Sequence, residues 1–405
     1  MQLKISNGQK YILALVLISL LVRVALTMYV TGFSDNVHPW NVLGVFEGHD
    51  RLFGPENSVE GKFGYNYFPL WAVIVYIFSK LTALTGLSYV FWSRLLLFLA
   101  DMAVSSVIFY WAKERIGEAK AFLLSLAYAV SPIAIWTSFY YIQFDALAVL
   151  FMLLAIMSFR KPWLSAAFLS IATMFKIFPA LLLPIFLLRI SNKKEIARFL
   201  LIFSLPLILI LIPFIASRAE FLYFINRVFL YKPPFGAGWG FAKFFVIPLG
   251  VYKAGLFSFL SPAIGLLESA YHVFVRVSSV LLLAALAAAY YLTRKQDLKK
   301  ASLVALLAIM MFSVYYYPHY LTWALPLLLV LALRYGLAYL ALSSLIGLHA
   351  IIVTLSPVRQ AAATSGLNFW TLSDIVLSMA IWLLGVFFVV KAVDWKNPGS
   401  ARTHR

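Results

Sequence analysis

The chain has 405 residues, of which 63% are hydrophobic and only 12% charged, and its mean hydropathy is +0.92. A water-soluble fold carries roughly 25% charged residues, so the composition excludes one and leaves no soluble enzyme domain of ordinary size. The 33 lysines and arginines outnumber the 15 acids, for a net charge of +18. They are scattered over short loops between apolar segments, which points to membrane topology and away from nucleic acid as a partner. With no cysteine, disulfides, thiolate metal ligands and thiol nucleophiles are excluded as well.

Apolar stretches of about 20 residues, the length that crosses a bilayer as a helix, recur from end to end. The expected fold is therefore all-α, a multi-pass bundle forming one integral-membrane domain over residues 1–405. The first stretch, Tyr11 to Val30, follows Lys4 and Lys10 and exceeds the apolar core of a signal peptide. It predicts a retained anchor with the N-terminus in the cytoplasm. Residues 31–89 then form a first outer loop carrying Asp35, His38, Glu47, Asp50, Glu56 and Glu60. An apolar piece inside it, Tyr67 to Leu84, would place Lys113, Arg115 and Lys120 outside if it were a span, so it is expected as a juxtamembrane helix on the outer surface.

Further spans are predicted at 90–112, 119–138, 144–159, 163–175, 177–189, 198–215, 272–293, 300–316, 319–334, 336–354 and 370–391. With the first they make about twelve, and both termini and most of the lysines and arginines fall in the cytoplasm, as the positive-inside rule requires. The segments 163–175 and 177–189 fall short of the roughly 17 to 25 residues of an ordinary span. They fit as a broken pair turning around Lys176, with the irregular backbone lining protein or water. A second outer loop, 216–271, is rich in aromatic residues, Pro and Gly around Tyr231 to Gly240 and is expected to hold a further helix near 241–259.

Charges inside spans are costly and mark sites or buried pairs. Arg23 and Asp101 sit at similar depth in successive spans and are read as a structural ion pair, and Asp374 and His349 as structural or solvated groups. A second group is predicted at the outer membrane face. Asp35 lies just past the first span, Asp145 opens the fourth within Tyr140-Tyr-Ile-Gln-Phe-Asp145, Lys176 sits at the turn of the broken pair, and His319 opens the tenth within Tyr315-Tyr-Tyr-Pro-His-Tyr320. A site requires that these four converge on one outward-facing cavity. Plainer roles are open to each: a loop acid for Asp35, a helix N-terminal carboxylate for Asp145, and polar lining of broken backbone for Lys176 and His319. In the second loop Arg218, Arg227, Lys232, Lys243 and Lys253 are placed to meet anionic headgroups, or one of them a phosphate.

At these residues the chain resembles the GT-C superfamily of integral-membrane glycosyltransferases. Within it the resemblance is to the mannosyltransferases of the GPI-anchor first-mannose type and their prokaryotic relatives, and it covers most of residues 11–335. It rests on the acid-bearing first loop at Asp35, on Gly64-Tyr-Asn-Tyr-Phe-Pro-Leu70 before the surface helix, and on Arg94-Leu-Leu-Leu-Phe-Leu-Ala-Asp101, Gln143-Phe-Asp-Ala-Leu147, Phe175-Lys-Ile-Phe-Pro179 and His319-Tyr-Leu-Thr-Trp-Ala-Leu-Pro326, in that order. Related enzymes often carry Asp-x-Asp in the first loop, whereas here Asp35 is followed by Asn36, Val37 and His38, leaving one acid. No cofactor is required, and a divalent metal stays open.

The resemblance implies inverting transfer of a hexose, mannose in this family, from a polyprenyl-phosphate-linked donor to a hydroxyl of a glycolipid or glycan acceptor on the extracytoplasmic side. Asp35 is then the base for the acceptor hydroxyl. The leaving phosphate needs charge stabilisation rather than protonation, which implies donor-phosphate or substrate contacts at Lys176, His319, Asp145, Gln143, Arg227 and Lys232. Tyr65, Tyr67, Trp239 and Tyr317 would stack on sugar faces or line a lipid groove, or else belong to an interfacial aromatic belt. The rival class is a transporter or lipid-linked sugar flippase, against which stands the lack of an internal repeat. A third, a lipid-linked polysaccharide ligase or polymerase, usually places its large loop late in the chain.

Overall fold

The computed structural model describes residues 6–29, 45–46, 52–53, 65–229, 261–313, 317–354 and 369–394, and every regular element among them is helical. Five of the described helices are long and apolar enough to cross a membrane, and a bent pair makes a sixth candidate. This is a membrane protein. Asp35, Lys232, Lys243, Lys253, Trp239 and the helix expected near 241–259 lie outside the described residues. The chain divides into two compact units, residues 1–183 with 190–232 and residues 184–189 with 233–405.

The first unit begins with α1 (Asn7–Tyr29), then α2 (Leu70–Thr85) and α3 (Tyr89–Ile116). The apolar piece expected at 67–84 is thus a helix, closed by Gly86 at φ 72°, whose N–H donates to the Thr82 carbonyl at 2.9 Å. That left-handed turn favours glycine. Ser88 then starts α3 by accepting from the Phe91 amide at 3.2 Å.

The span expected over 119–138 is instead two pieces, α4 (Glu118–Ala129) and α5 (Pro132–Ile135) continuing into a π-helical turn Trp136–Tyr140, bent by 44°. Pro132 explains the break, since it lacks an N–H and its ring clashes with the carbonyl one turn earlier. Ser131 repairs the ends, donating to the Tyr128 carbonyl at 2.7 Å and accepting from the Ala134 amide at 3.4 Å.

α6 (Asp145–Met157) packs along α7 (Pro162–Phe175), which is in turn flanked by α9 (Lys193–Leu211). After α7 a 3-10 turn, Phe178–Leu182, leads into the short α8 (Leu183–Leu187), which from Pro184 on belongs to the second unit. Pro179 cannot continue a helix from Phe175, so Lys176 is forced into extended backbone (φ −144°, ψ 142°). The break expected at Lys176 is therefore present. α10 (Arg218–Phe224) closes the unit, capped by Ser217 and Glu220 in a reciprocal box and followed by a second π-helical turn, Ile225–Phe229.

The ion pair read from the sequence holds α1 to α3. Arg23 Nη2 lies 2.8 Å from Asp101 Oδ2 with both side chains buried. Arg23 also donates to the Ala129 carbonyl at 2.9 Å and to Ser19 Oγ, so most of its donors are satisfied inside the core.

The second unit contains α11 (Ser261–Thr293), α12 (Leu298–Phe312), a 3-10 turn Pro318–Tyr320, α13 (Leu321–Leu331), α14 (Leu333–Thr354) and α15 (Phe369–Asp394). The helix expected from 272 starts at Ser261, inside the stretch read as loop. α12 is buried on nearly all sides by α11, α13 and α15, as its uniformly apolar stretch from Leu303 to Phe312 requires. Arg189 of the same unit donates to the Thr293 and Gln296 carbonyls at 3.1 and 2.7 Å, satisfying the end of α11.

Candidate active site

Lys176 is buried where α7 ends, and its ammonium meets three oxygens drawn from distant parts of the sequence. Nζ lies 3.2 Å from Gln143 Oε1, 3.4 Å from Asp145 Oδ2 and 3.4 Å from the Tyr67 hydroxyl. The first distance is a hydrogen bond, and the other two are looser contacts dominated by charge. The ammonium also stands over the rings of Tyr67 and Phe144, at 4.6 and 4.8 Å from their centroids. Phe144 is clamped between Tyr67 edge-on (4.7 Å) and Trp71 stacked (4.7 Å). The result is a cation held in a low-dielectric cage with Asp145 as a counter-charge.

Local structure explains how each group arrives there. Tyr65 donates to the Phe68 carbonyl at 2.8 Å and accepts from the Ala72 amide at 3.2 Å, so it caps the start of α2. That fixes the bend on which Tyr67 sits, and the two rings meet edge to face at 5.9 Å. Tyr65 is thus a scaffold for Tyr67. Burial holds both phenols well above their ordinary value, and the Asp145 charge adds to the effect at Tyr67. Both stay neutral, so the Tyr67 hydroxyl can give and take hydrogen bonds.

Gln143 and Asp145 are delivered by an unusual backbone. The π turn closes with the Tyr141 amide donating to the Trp136 carbonyl at 2.8 Å, and the Gln143 amide then reaches back to the Thr137 carbonyl at 2.8 Å. Between them Ile142 is left-handed, with φ 49°. Among the described residues it is the one non-glycine at positive φ, and for a buried β-branched side chain this is a strained state. Nothing in the sequence signals it. Asp145 opens α6, so its carboxylate serves both the helix N-terminus and Lys176.

Arg227 and His319 each have contacts of their own. Arg227 donates to the Tyr223 hydroxyl one turn back, at 3.0 Å. His319, in the second unit, is buried between the rings of Tyr317 (stacked, 5.5 Å) and Tyr320 (edge-on, 4.6 Å), and Thr322 Oγ1 donates to its carbonyl at 2.7 Å. Of the expected site residues, then, Tyr65, Tyr67, Gln143, Asp145 and Lys176 come together.

A buried ammonium framed by neutral donors and one carboxylate suits an anionic substrate group that competes for the cation. Residues 65–318 match the family model of glycosyltransferase family 87, a stretch that contains the whole Lys176 cluster, starts after Asp35 and ends one residue before His319. No curated protein matches the chain. Because the match spans more than half of the sequence, the chain belongs to glycosyltransferase family 87 and is a membrane glycosyltransferase.

Proposed function

We propose that the enzyme transfers a hexose, mannose, from a polyprenyl-phosphate-linked donor to a hydroxyl of a glycolipid or glycan acceptor, with inversion, on the extracytoplasmic side of the membrane. The observation that carries this reading is the Lys176 ammonium, buried against Gln143, Asp145 and Tyr67. A sugar phosphodiester is a monoanion, and its leaving phosphate gains a further charge as the anomeric C–O bond breaks. A fixed point charge therefore stabilises the transition state more than the ground state. As that bond breaks, its electron pair goes to the phosphate oxygen, the acceptor oxygen forms the new bond from the opposite face, and its proton passes to Asp35. The donor needs no acid on this route, in contrast to glycoside hydrolysis.

We propose in addition the finer architecture expected from the sequence, a GT-C-like bundle of about twelve spans with both termini cytoplasmic. In it the short α7 and the turn after it form a re-entrant break at Lys176, and α2 lies at the outer surface to guide the lipid chain. His319 and a base of the second loop, Arg227 or Lys232, would complete the phosphate contacts.

The test is to reconstitute the purified protein in nanodiscs with polyprenyl-phosphate mannose or, separately, nucleotide sugars, and to follow free polyprenyl phosphate. Release of polyprenyl phosphate with mannosylation of a glycolipid acceptor is expected. Turnover with nucleotide sugars alone would overturn the donor assignment.

A further inference from the structure

We infer that Arg94 is a positioning residue for transfer: by holding the Phe139 carbonyl it fixes the π turn and the left-handed Ile142, and so sets Gln143 and Asp145 around Lys176. The inference rests on the Lys176 cluster being the donor-phosphate site. Arg94, on α3, donates from Nε to the Phe139 carbonyl at 2.9 Å, and its guanidinium covers the Phe139 ring at 4.5 Å. One residue earlier in the same turn, Ser138 donates to Asp101 Oδ2 at 2.5 Å, and Asp101 is the partner of Arg23. One residue later, the Tyr140 hydroxyl donates to the Leu26 carbonyl of α1 at 3.4 Å. Three consecutive residues of the π turn are thus tied to α3 and α1 by separate polar contacts.

Such anchoring is what the strained backbone needs. A left-handed β-branched residue costs on the order of 1–3 kcal/mol and persists only where its surroundings over-determine it. The π turn carries the chain out of helical register, and Ile142 redirects it so that Gln143 and Asp145, two residues apart, both face Lys176. Without the Arg94 bond a carbonyl on a buried residue is left to find another donor, and the turn can relax toward an ordinary α-helical end. Arg94 itself reaches none of the reacting groups by any contact described above, so its effect must run through the turn.

The experiment is a double-mutant cycle on transfer from polyprenyl-phosphate mannose, read as release of polyprenyl phosphate, together with hydrogen exchange of the 136–145 segment. Arg94→Ala should lower kcat/KM by about tenfold or more, since a misplacement of about 1 Å at a site can cost up to about a hundredfold. In a Lys176→Ala background the same change should have almost no further effect, because the groups it positions have lost their target. Exchange in 136–145 should rise while α3 and the rest of α6 stay protected. Arg94→Lys, which keeps the charge but not the guanidinium fork, and Ser138→Ala carry the same cycle if Arg94→Ala does not fold. Losses that multiply independently with Lys176→Ala would overturn the inference and leave the phosphate site standing. Unchanged transfer in Lys176→Ala alone would overturn the phosphate site, and the role of Arg94 with it.

Discussion

Lys176 Nζ and Asp145 Oδ2 lie 3.4 Å apart, with their side chains 6% and 0% exposed. The attraction at that distance is about 5 kcal/mol at an effective dielectric near 20, while burying each ion costs several kcal/mol. The two nearly cancel. The pair therefore does little for overall stability and much for placement, since it holds a cation where water does not reach.

Removing one partner is a different matter. Asp145→Asn preserves shape but leaves the ammonium without its counter-charge, which costs about 3–5 kcal/mol for a buried pair. Thermal melts in detergent should show a large fall for Asp145→Asn, and a smaller one for Asp145→Asn combined with Lys176→Met. A wild-type melt for the single variant would contradict the buried pairing.

The left-handed Ile142 predicts an inverted order between two truncations. Ile142→Ala and Ile142→Gly both remove a buried side chain, but glycine accepts φ 49° freely whereas alanine does not. Ile142→Gly should be the more stable by about 1 kcal/mol. At an ordinary position glycine would be the less stable by about 0.5–1 kcal/mol, and that order in denaturant melts would argue against the strained turn.

Tyr67 predicts a signature at alkaline pH. Burial raises its phenol above the ordinary value, so the folded state binds that proton more tightly than the unfolded chain does. Its contribution is fully present below about pH 10, the value of an unfolded tyrosine, and is lost as pH rises through the folded value. Tyr67→Phe should therefore lose less stability than wild type between about pH 9 and about pH 11. Parallel losses in the two proteins would show the phenol to be solvated.

In the second unit Gly336 sits against backbone. A Cβ there would come within 2.7 Å of the Leu328 carbonyl and of Leu329 Cα. Backbone cannot give way as a flexible side chain does, so Gly336→Ala should destabilise the protein by about 1–3 kcal/mol. An unchanged melting temperature would mean that the close approach of α14 to α13 is not maintained.

Much of the site was legible from residue types. The shortness of 163–175 and 177–189 pointed to a break at Lys176, a lysine in an apolar stretch demanded partners, and Gln143 and Asp145 belonged to a motif assigned to the outer membrane face. The pairing of Arg23 with Asp101 followed from depth alone. What stayed hidden was angular and local. Apolar periodicity cannot show that Trp136–Tyr140 winds as a π turn or that Ile142 is left-handed, because tertiary contacts from Arg94, Asp101 and Leu26 impose those states against propensity. The bend at Pro132 was readable in principle, but a continuous apolar run concealed it. The first turns of α11 were hidden because they fall in 216–271, a stretch read as loop for its aromatic residues, Pro and Gly.

The most direct measurement is the affinity for undecaprenyl phosphate of the protein in nanodiscs, for wild type, Lys176→Ala and Lys295→Ala, the last an exposed charge far along the chain. Lys176→Ala should weaken binding by about tenfold to a hundredfold, as loss of a charged hydrogen bond worth about 1.5–3 kcal/mol implies, with Lys295→Ala unchanged. Equal affinities for wild type and Lys176→Ala would contradict a donor phosphate at Lys176.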